Sequence, residues 1–229
     1  MLFPKNKLIP VKYIIDTDEF PLGIYQNIEP YPNKKQLGCP AVNSTNNKLF
    51  YVNSPASFTI EFGVKDNEPY YNYNYDTKVH GINDKVHNLI NKSLQLQFFK
   101  DTMNIQILMP YAFVTDNVDL TVMTIPPPLD YNNCTYASGE LYIANWIRHL
   151  NIALVLTDNS KPASVTFSVD KPSLMFAFNK QVNLQYTEQT DDIIKYSKQT
   201  KNIVNYRKGI MNLYQQVVSR RPKKLLWLK

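Results

Sequence analysis

Glycine is scarce: six occur in 229 residues, each isolated, at Gly23, Gly38, Gly63, Gly81, Gly139 and Gly209. Phosphate cradles need clustered glycines so that several backbone N–H groups can approach the anion. Neither G-x-G-x-x-G nor G-x-x-x-x-G-K-[ST] can be written here, and the G-x-S-x-G nucleophile elbow is missing too. The usual nucleotide-binding and hydrolase signatures are therefore excluded. Cysteine is rarer still. Cys39 and Cys134 make no disulfide framework, which favours a reduced compartment. Cys39, with no local catalytic signature, reads as a small buried hydrophobe rather than a nucleophile.

No stretch approaches the ~20 apolar residues of a membrane helix. The opening Met1-Leu2-Phe3-Pro4-Lys5 lacks a signal peptide's apolar centre, so secretion by that route is not expected. Three Asn-x-Ser/Thr sequons, at Asn43, Asn91 and Asn133, are no more than this composition produces by chance.

Basic charge is missing from most of the chain. Residues 1–187 hold 15 Lys/Arg against 16 Asp/Glu, whereas residues 188–229 hold 10 against 3. A nucleic-acid-binding body normally carries a basic face of its own, so any polyanion contact belongs to the C-terminal segment. Two regions follow: a neutral body over 1–187 and a basic tail over 188–229.

Aromatic residues and prolines are plentiful, with 16 Tyr, 11 Phe and 15 Pro, and 44% of the chain is hydrophobic. That supports a real core rich in strands and rigid connections. Strand patterns occur at residues 8–15, 48–52, 58–64, 93–100, 104–109, 118–125, 139–147, 152–157, 164–169 and 174–178. Pro10 places the first of these at a sheet edge. Pro126-Pro127-Pro128 and Asp158-Asn159-Ser160-Lys161-Pro162 break the later ones. Short strands at this spacing, with no βαβ rhythm, predict a mainly β fold. The expected architecture is an antiparallel β-sandwich or jelly-roll-like barrel with a C-terminal α-helix.

Within 68–76, period-two alternation puts Tyr71, Tyr73 and Tyr75 on one face. Such a row suits a partner or a sugar ring. The plainer reading is a half-buried edge strand or a loop closing over the core.

In the tail, Tyr196, Ile203, Ile210 and Val217 fall seven apart, and Gln199, Tyr206 and Leu213 sit three after the first three of them. That is an a/d seam over about three heptads. The helix either packs on its own sheet or pairs with a neighbour. Val204, Met211 and Val218 widen its stripe and favour docking on a broad surface. Beyond Pro222, Leu225, Leu226, Trp227 and Leu228 are costly to leave in water, at ~25 cal/mol per Å² of apolar surface. A groove on a neighbouring protein subunit is the preferred cover, ahead of the chain's own core or an anionic membrane surface.

Chemistry-bearing residues are few. His80, Asp84 and His87, spaced i, i+4, i+7, would share one helical face as metal ligands, although Gly81 weakens that helix and a fourth ligand is not assigned. Solvated surface residues are the plainer reading. No cofactor is expected.

Met109-Pro110-Tyr111-Ala112-Phe113 precedes Thr124-Ile125-Pro126-Pro127, then Gly139, Asn145-Trp146, and Asp170-Lys171-Pro172 before an apolar strand. With Gly38-Cys39-Pro40-Ala41 ahead of an earlier strand, this pattern resembles an uncharacterised family of small β-rich phage and bacterial proteins, a domain of unknown function. The resemblance spans about residues 7–180 and implies a β fold and a phage-like or bacterial origin. It carries over no catalytic residues. Four of 25 basic residues are arginine, and asparagine is as frequent as all basic residues together, a bias toward AT-rich codons that suits such a genome.

The expected function is that of a structural or interaction protein, a viral or phage virion component found in the virion or host cytoplasm. It would dock to other protein subunits through Tyr196, Ile203, Tyr206, Ile210, Leu213, Val217 and the terminal hydrophobes. The alternatives are a cupin-like metal-dependent enzyme or small-ligand binder, and a nucleic-acid binder acting through 188–229.

Overall fold

Alternating apolar and polar side chains drive this chain into strands, since period two sends one set of residues to a common face. The computed structural model describes residues 8–16, 27–31, 47–75, 87–88, 90–91, 93–99, 102–144, 147, 149–169 and 171–195. In chain order the strands are β1 (Ile9–Ile15), β2 (Glu29–Pro30), β3 (Leu49–Asn53), β4 (Phe58–Lys65), β5 (Glu68–Tyr75), β6 (Leu94–Phe99), β7 (Thr102–Val114) and β8 (Thr121–Ile125). There follow β9 (Asp130–Asn132), β10 (Cys134–Tyr136), β11 (Glu140–Tyr142), β12 (His149–Leu156), β13 (Ala163–Phe167), β14 (Pro172–Phe178) and β15 (Val182–Tyr186). Residues 191–195 add a helical turn.

Three sheets result. The first runs β10-β12-β7-β1-β15, with β6 also paired to β7; the second runs β11-β8-β14-β3-β2; the third runs β5-β4-β13-β9. The fold is mainly β and sandwich-like. Among the described residues the strands do not close, so the barrel alternative is not realised. Pairing is antiparallel except between β1 and β15, which run parallel.

The first sheet faces the other two across one core. Phe113 of β7 meets Phe176 and Phe178 of β14 at centroid distances of 5.3 and 5.5 Å. Phe50 of β3 completes this cluster, 5.9 Å from Phe176. These four rings are buried and fasten the first sheet to the second. Farther along, Ile107 and Ile152 of the first sheet face Ile60 and Phe167 of the third.

Both prolines in the first sheet sit where a ladder donor is not needed. The expectation that Pro10 marks an edge strand is corrected: β1 lies between β7 and β15. Its pairing with β7, however, begins only at Lys12. At Pro10 the β7 side offers no strand among the described residues, and the Thr115 hydroxyl donates to the Pro10 carbonyl at 3.1 Å. Pro110 interrupts β7 where its neighbour changes from β6 to β1. There the register with β12 slips by two residues, between His149↔Ala112 and Asn151↔Leu108. A slip of two keeps every side chain on its original face, whereas a slip of one would invert them.

β4 and β5 form a hairpin whose turn residues, Asp66 and Asn67, both have positive φ (53° and 62°). That is the type I′ signature, which matches the strands' right-handed twist.

Candidate functional site

The expected tyrosine row exists, and it points inward. Tyr71, Tyr73 and Tyr75 share the half-buried face of β5 and pack against the main core. Tyr73 and Tyr75 stack at 6.2 Å and 24°. β5 is an edge strand of its sheet, so the plainer of the two readings describes its setting.

Tyr73 joins His87 and Asn91 in a closed ring of hydrogen bonds. The Tyr73 hydroxyl donates to Asn91 Oδ1 at 3.2 Å, and Asn91 Nδ2 reaches His87 Nε2 at 2.9 Å. The Tyr73 oxygen also bonds to His87 Nδ1. Donors and acceptors balance when His87 is neutral with its proton on Nδ1, a tautomer assigned from the network. Burial raises the Tyr73 pKa, so the hydroxyl remains a donor at neutral pH. With both His87 nitrogens engaged, metal ligation by Nε2 requires displacing Asn91. His80 and Asp84 lie outside the described residues, and among the described residues no three metal-ligating side chains converge.

The sandwich interior contains a cavity of about 30 Å³, lined chiefly by Phe58, Ile60, Ile90, Ile107, Ile152 and Phe167. Ser93 Oγ on its wall is buried with no hydrogen-bond partner among the described residues. This space suits one or two waters. Cys134 is buried, its thiol pKa raised by desolvation and its Sγ 3.7 Å from the Ser164 carbonyl oxygen. That environment suits packing and disfavours the thiolate a nucleophile requires.

The arrangement with the clearest bearing on interaction lies on the outer face of the first sheet. Ile14 of β1 with Ala112 and Val114 of β7 form a second apolar cluster, separate from the main core, together with Ile147 and Ile193. Ile193 is only 2% exposed. It comes from the helical turn 191–195, which Thr190 caps: its Oγ1 accepts from Ile193 N–H at 3.4 Å and its carbonyl from Ile194 N–H at 2.9 Å. Asp191 and Asp192 stand in the first turn, where acidic side chains favour the helix dipole. The root of the basic segment is thus anchored on the chain's own sheet.

On that same face, His149 Nε2 lies 2.9 Å from Asp16 Oδ2. Alternation puts Asp16 on the side of Ile14, and register puts His149 opposite Ala112. Both side chains are largely buried (11% and 6% exposed).

Sequence reasoning missed this face. Its signal was present, because Tyr13-Ile14-Ile15 and Ala112-Phe113-Val114 break alternation with continuous apolar runs, as strands buried on both sides do. The seam residues Tyr196, Ile203, Tyr206, Ile210, Leu213 and Val217, and the terminal Leu225, Leu226, Trp227 and Leu228, lie outside the described residues.

No family model, curated protein or solved structure matches this chain. No helix among the described residues is long and apolar enough to cross a membrane.

Proposed function

We propose that this chain is a structural, subunit-docking protein, a viral or phage virion component that binds neighbouring subunits through the segment following Lys195. The observation that carries this reading is the burial of Ile193 on the outer face of the first sheet. A basic segment with a heptad-like apolar seam starts from a fixed base on a charge-balanced body. A free tail needs no such anchor, whereas a docking arm gains from one, because anchoring limits the volume it must search for a partner. Four large apolar residues at 225–228 supply the grip, and the lysines and arginines around them tune orientation and approach rate.

The test is light scattering on the full-length chain with Leu225→Ser, Leu226→Ser, Trp227→Ser and Leu228→Ser together. The reading predicts smaller assemblies than wild type at equal concentration, with wild-type assembly largely insensitive to salt. Unchanged assembly refutes the docking role. Association with nucleic acid that weakens steeply with salt would favour a polyanion-binding tail instead.

A further inference from the structure

We infer that the outer edge of β5 is a second interface, at which two copies of this chain pair antiparallel about a two-fold axis passing beside Tyr73. This inference does not rest on the tail.

Exposed strand edges template pairing with other chains, and monomeric proteins blunt them by shortening, lysine, proline or bulges. The other terminal strands of these sheets are short: β2 has two residues, β9, β10 and β11 three each, β15 five and β6 six. β5 has eight, runs in unbroken register along β4, and among the described residues has no strand on its other side. From Tyr70 to Tyr75 it contains no charge, no proline and no bulge.

The hairpin determines which groups face outward. In a two-residue type I′ hairpin the pair flanking the turn, here Lys65↔Glu68, exchanges both hydrogen bonds, and bonded pairs then alternate. Glu68, Tyr70, Asn72 and Asn74 therefore direct their backbone groups at β4. Pro69, Tyr71, Tyr73 and Tyr75 direct theirs away from it. Pro69, the strand's one residue without an N–H, falls where β4 requires no donor and outside the stretch from 71 to 75. That stretch keeps three N–H and three C=O groups in a row, aimed at the open side.

A second copy satisfies all of them. Opposing Tyr73 to its own image places Tyr71 opposite Tyr75 and makes six backbone hydrogen bonds, all at positions bonded in an antiparallel ladder. On the exposed face the same register sets Asn72 against Asn74, and on the inner face it sets tyrosine against tyrosine. No like charges meet between 70 and 75, and aromatic cross-strand pairs are favourable. An isologous contact of this kind closes on itself and gives a discrete dimer.

The experiment is sedimentation of the full-length chain over a concentration series, with two double variants on the exposed face of β5. In Asn72→Lys/Asn74→Lys, lysine opposes lysine in this register; in Asn72→Lys/Asn74→Glu, lysine opposes glutamate. We expect concentration-dependent dimers for wild type and the Lys/Glu variant, and at least tenfold weaker dimerisation for the Lys/Lys variant. Amide exchange should slow at Tyr71, Tyr73 and Tyr75 on dimerisation. Equal association of all three proteins overturns the β5 interface while leaving the tail reading standing. A wild type monomeric at every concentration overturns it outright, and weakening of both variants alike overturns the register about Tyr73.

Discussion

Asn133 and Asp158 hold each other by reciprocal hydrogen bonds: Asn133 Oδ1 accepts from the Asp158 N–H at 3.0 Å, and its Nδ2 donates to the Asp158 carbonyl at 2.9 Å. Nδ2 also donates to the Lys161 carbonyl at 2.9 Å. Asn133 has φ 53° and stands between β9 of the third sheet and β10 of the first. One side chain thus fixes the corner where the chain changes sheets and the turn joining β12 to β13. Its amide nitrogen is fully engaged, which agrees with setting aside the sequon there.

Replacing Asn133 with alanine should cost about 2–4 kcal/mol, from lost hydrogen bonds and a left-handed backbone that alanine tolerates poorly. Glycine at this position should cost less than alanine, because it accepts positive φ without strain. Urea denaturation of both variants measures the order, and equal costs would show that backbone conformation contributes nothing here.

Ile193 should be the residue through which the tail's root is held. Ile193→Ala is expected to lose about 1–2 kcal/mol, less than a central core truncation, because one helical turn can detach without unfolding the sandwich. Amide exchange at 191–195 should rise sharply while exchange in β12 and β14 stays slow. Uniformly faster exchange across the sheets would contradict this local picture.

Phe176 lies at the junction of the first and second sheets, fully buried and in ring contact with Phe50, Phe113 and Phe178. Phe176→Ala should cost about 3–5 kcal/mol, the range for a large aromatic in a core that cannot collapse around the gap. Thermal melts report the loss.

Alkaline pH should destabilise the fold. Burial raises the pKa values of Tyr13, Tyr131 and Tyr136 above the ordinary value near 10, most strongly for Tyr131. A raised folded-state value means this stabilisation is complete below pH ~10 and is lost as pH rises through the higher folded values, because the unfolded chain ionises first. Asp158 behaves oppositely. Hydrogen bonds from Ser160 hold its carboxyl below the ordinary range, so its contribution is present above pH ~4 and fades as pH falls. Denaturant midpoints across pH 7 to 11.5 should fall beyond pH 10, and a flat profile would contradict the buried-tyrosine assignment.

Much of the sheet framework was legible wherever apolar residues alternate cleanly. β1, β4, β6, β13 and β14 arise within a residue or two of their expected positions, because each buries a face against the core, whereas β12 begins three residues ahead of its expected start. Legibility failed where pairing depends on distant partners. β9 and β10 are three residues each and exist through Asn133's grip on a turn some 25 residues away. The stretch 139–147 was expected as one strand, yet only Glu140–Tyr142 pairs before the chain turns. β15 is mostly polar and is stabilised by parallel pairing with β1, a long-range contact no local pattern announces. At the candidate site, the tyrosine row was visible as a period, and its half-buried edge-strand reading describes where it sits. The anchor for Ile193 was hidden because its partners lie on three separate segments.

The central claim is that the chain's end is seated in a protein groove. The chain has two tryptophans, Trp146 and Trp227, so Trp146→Phe leaves Trp227 as the sole indole reporter. Its emission and acrylamide quenching should be followed in the full-length protein as concentration rises. Docking predicts a blue-shifted, quench-protected Trp227 in the assembled state and an exposed one on dilution; a Trp227 that stays fully hydrated and mobile at every concentration contradicts the account.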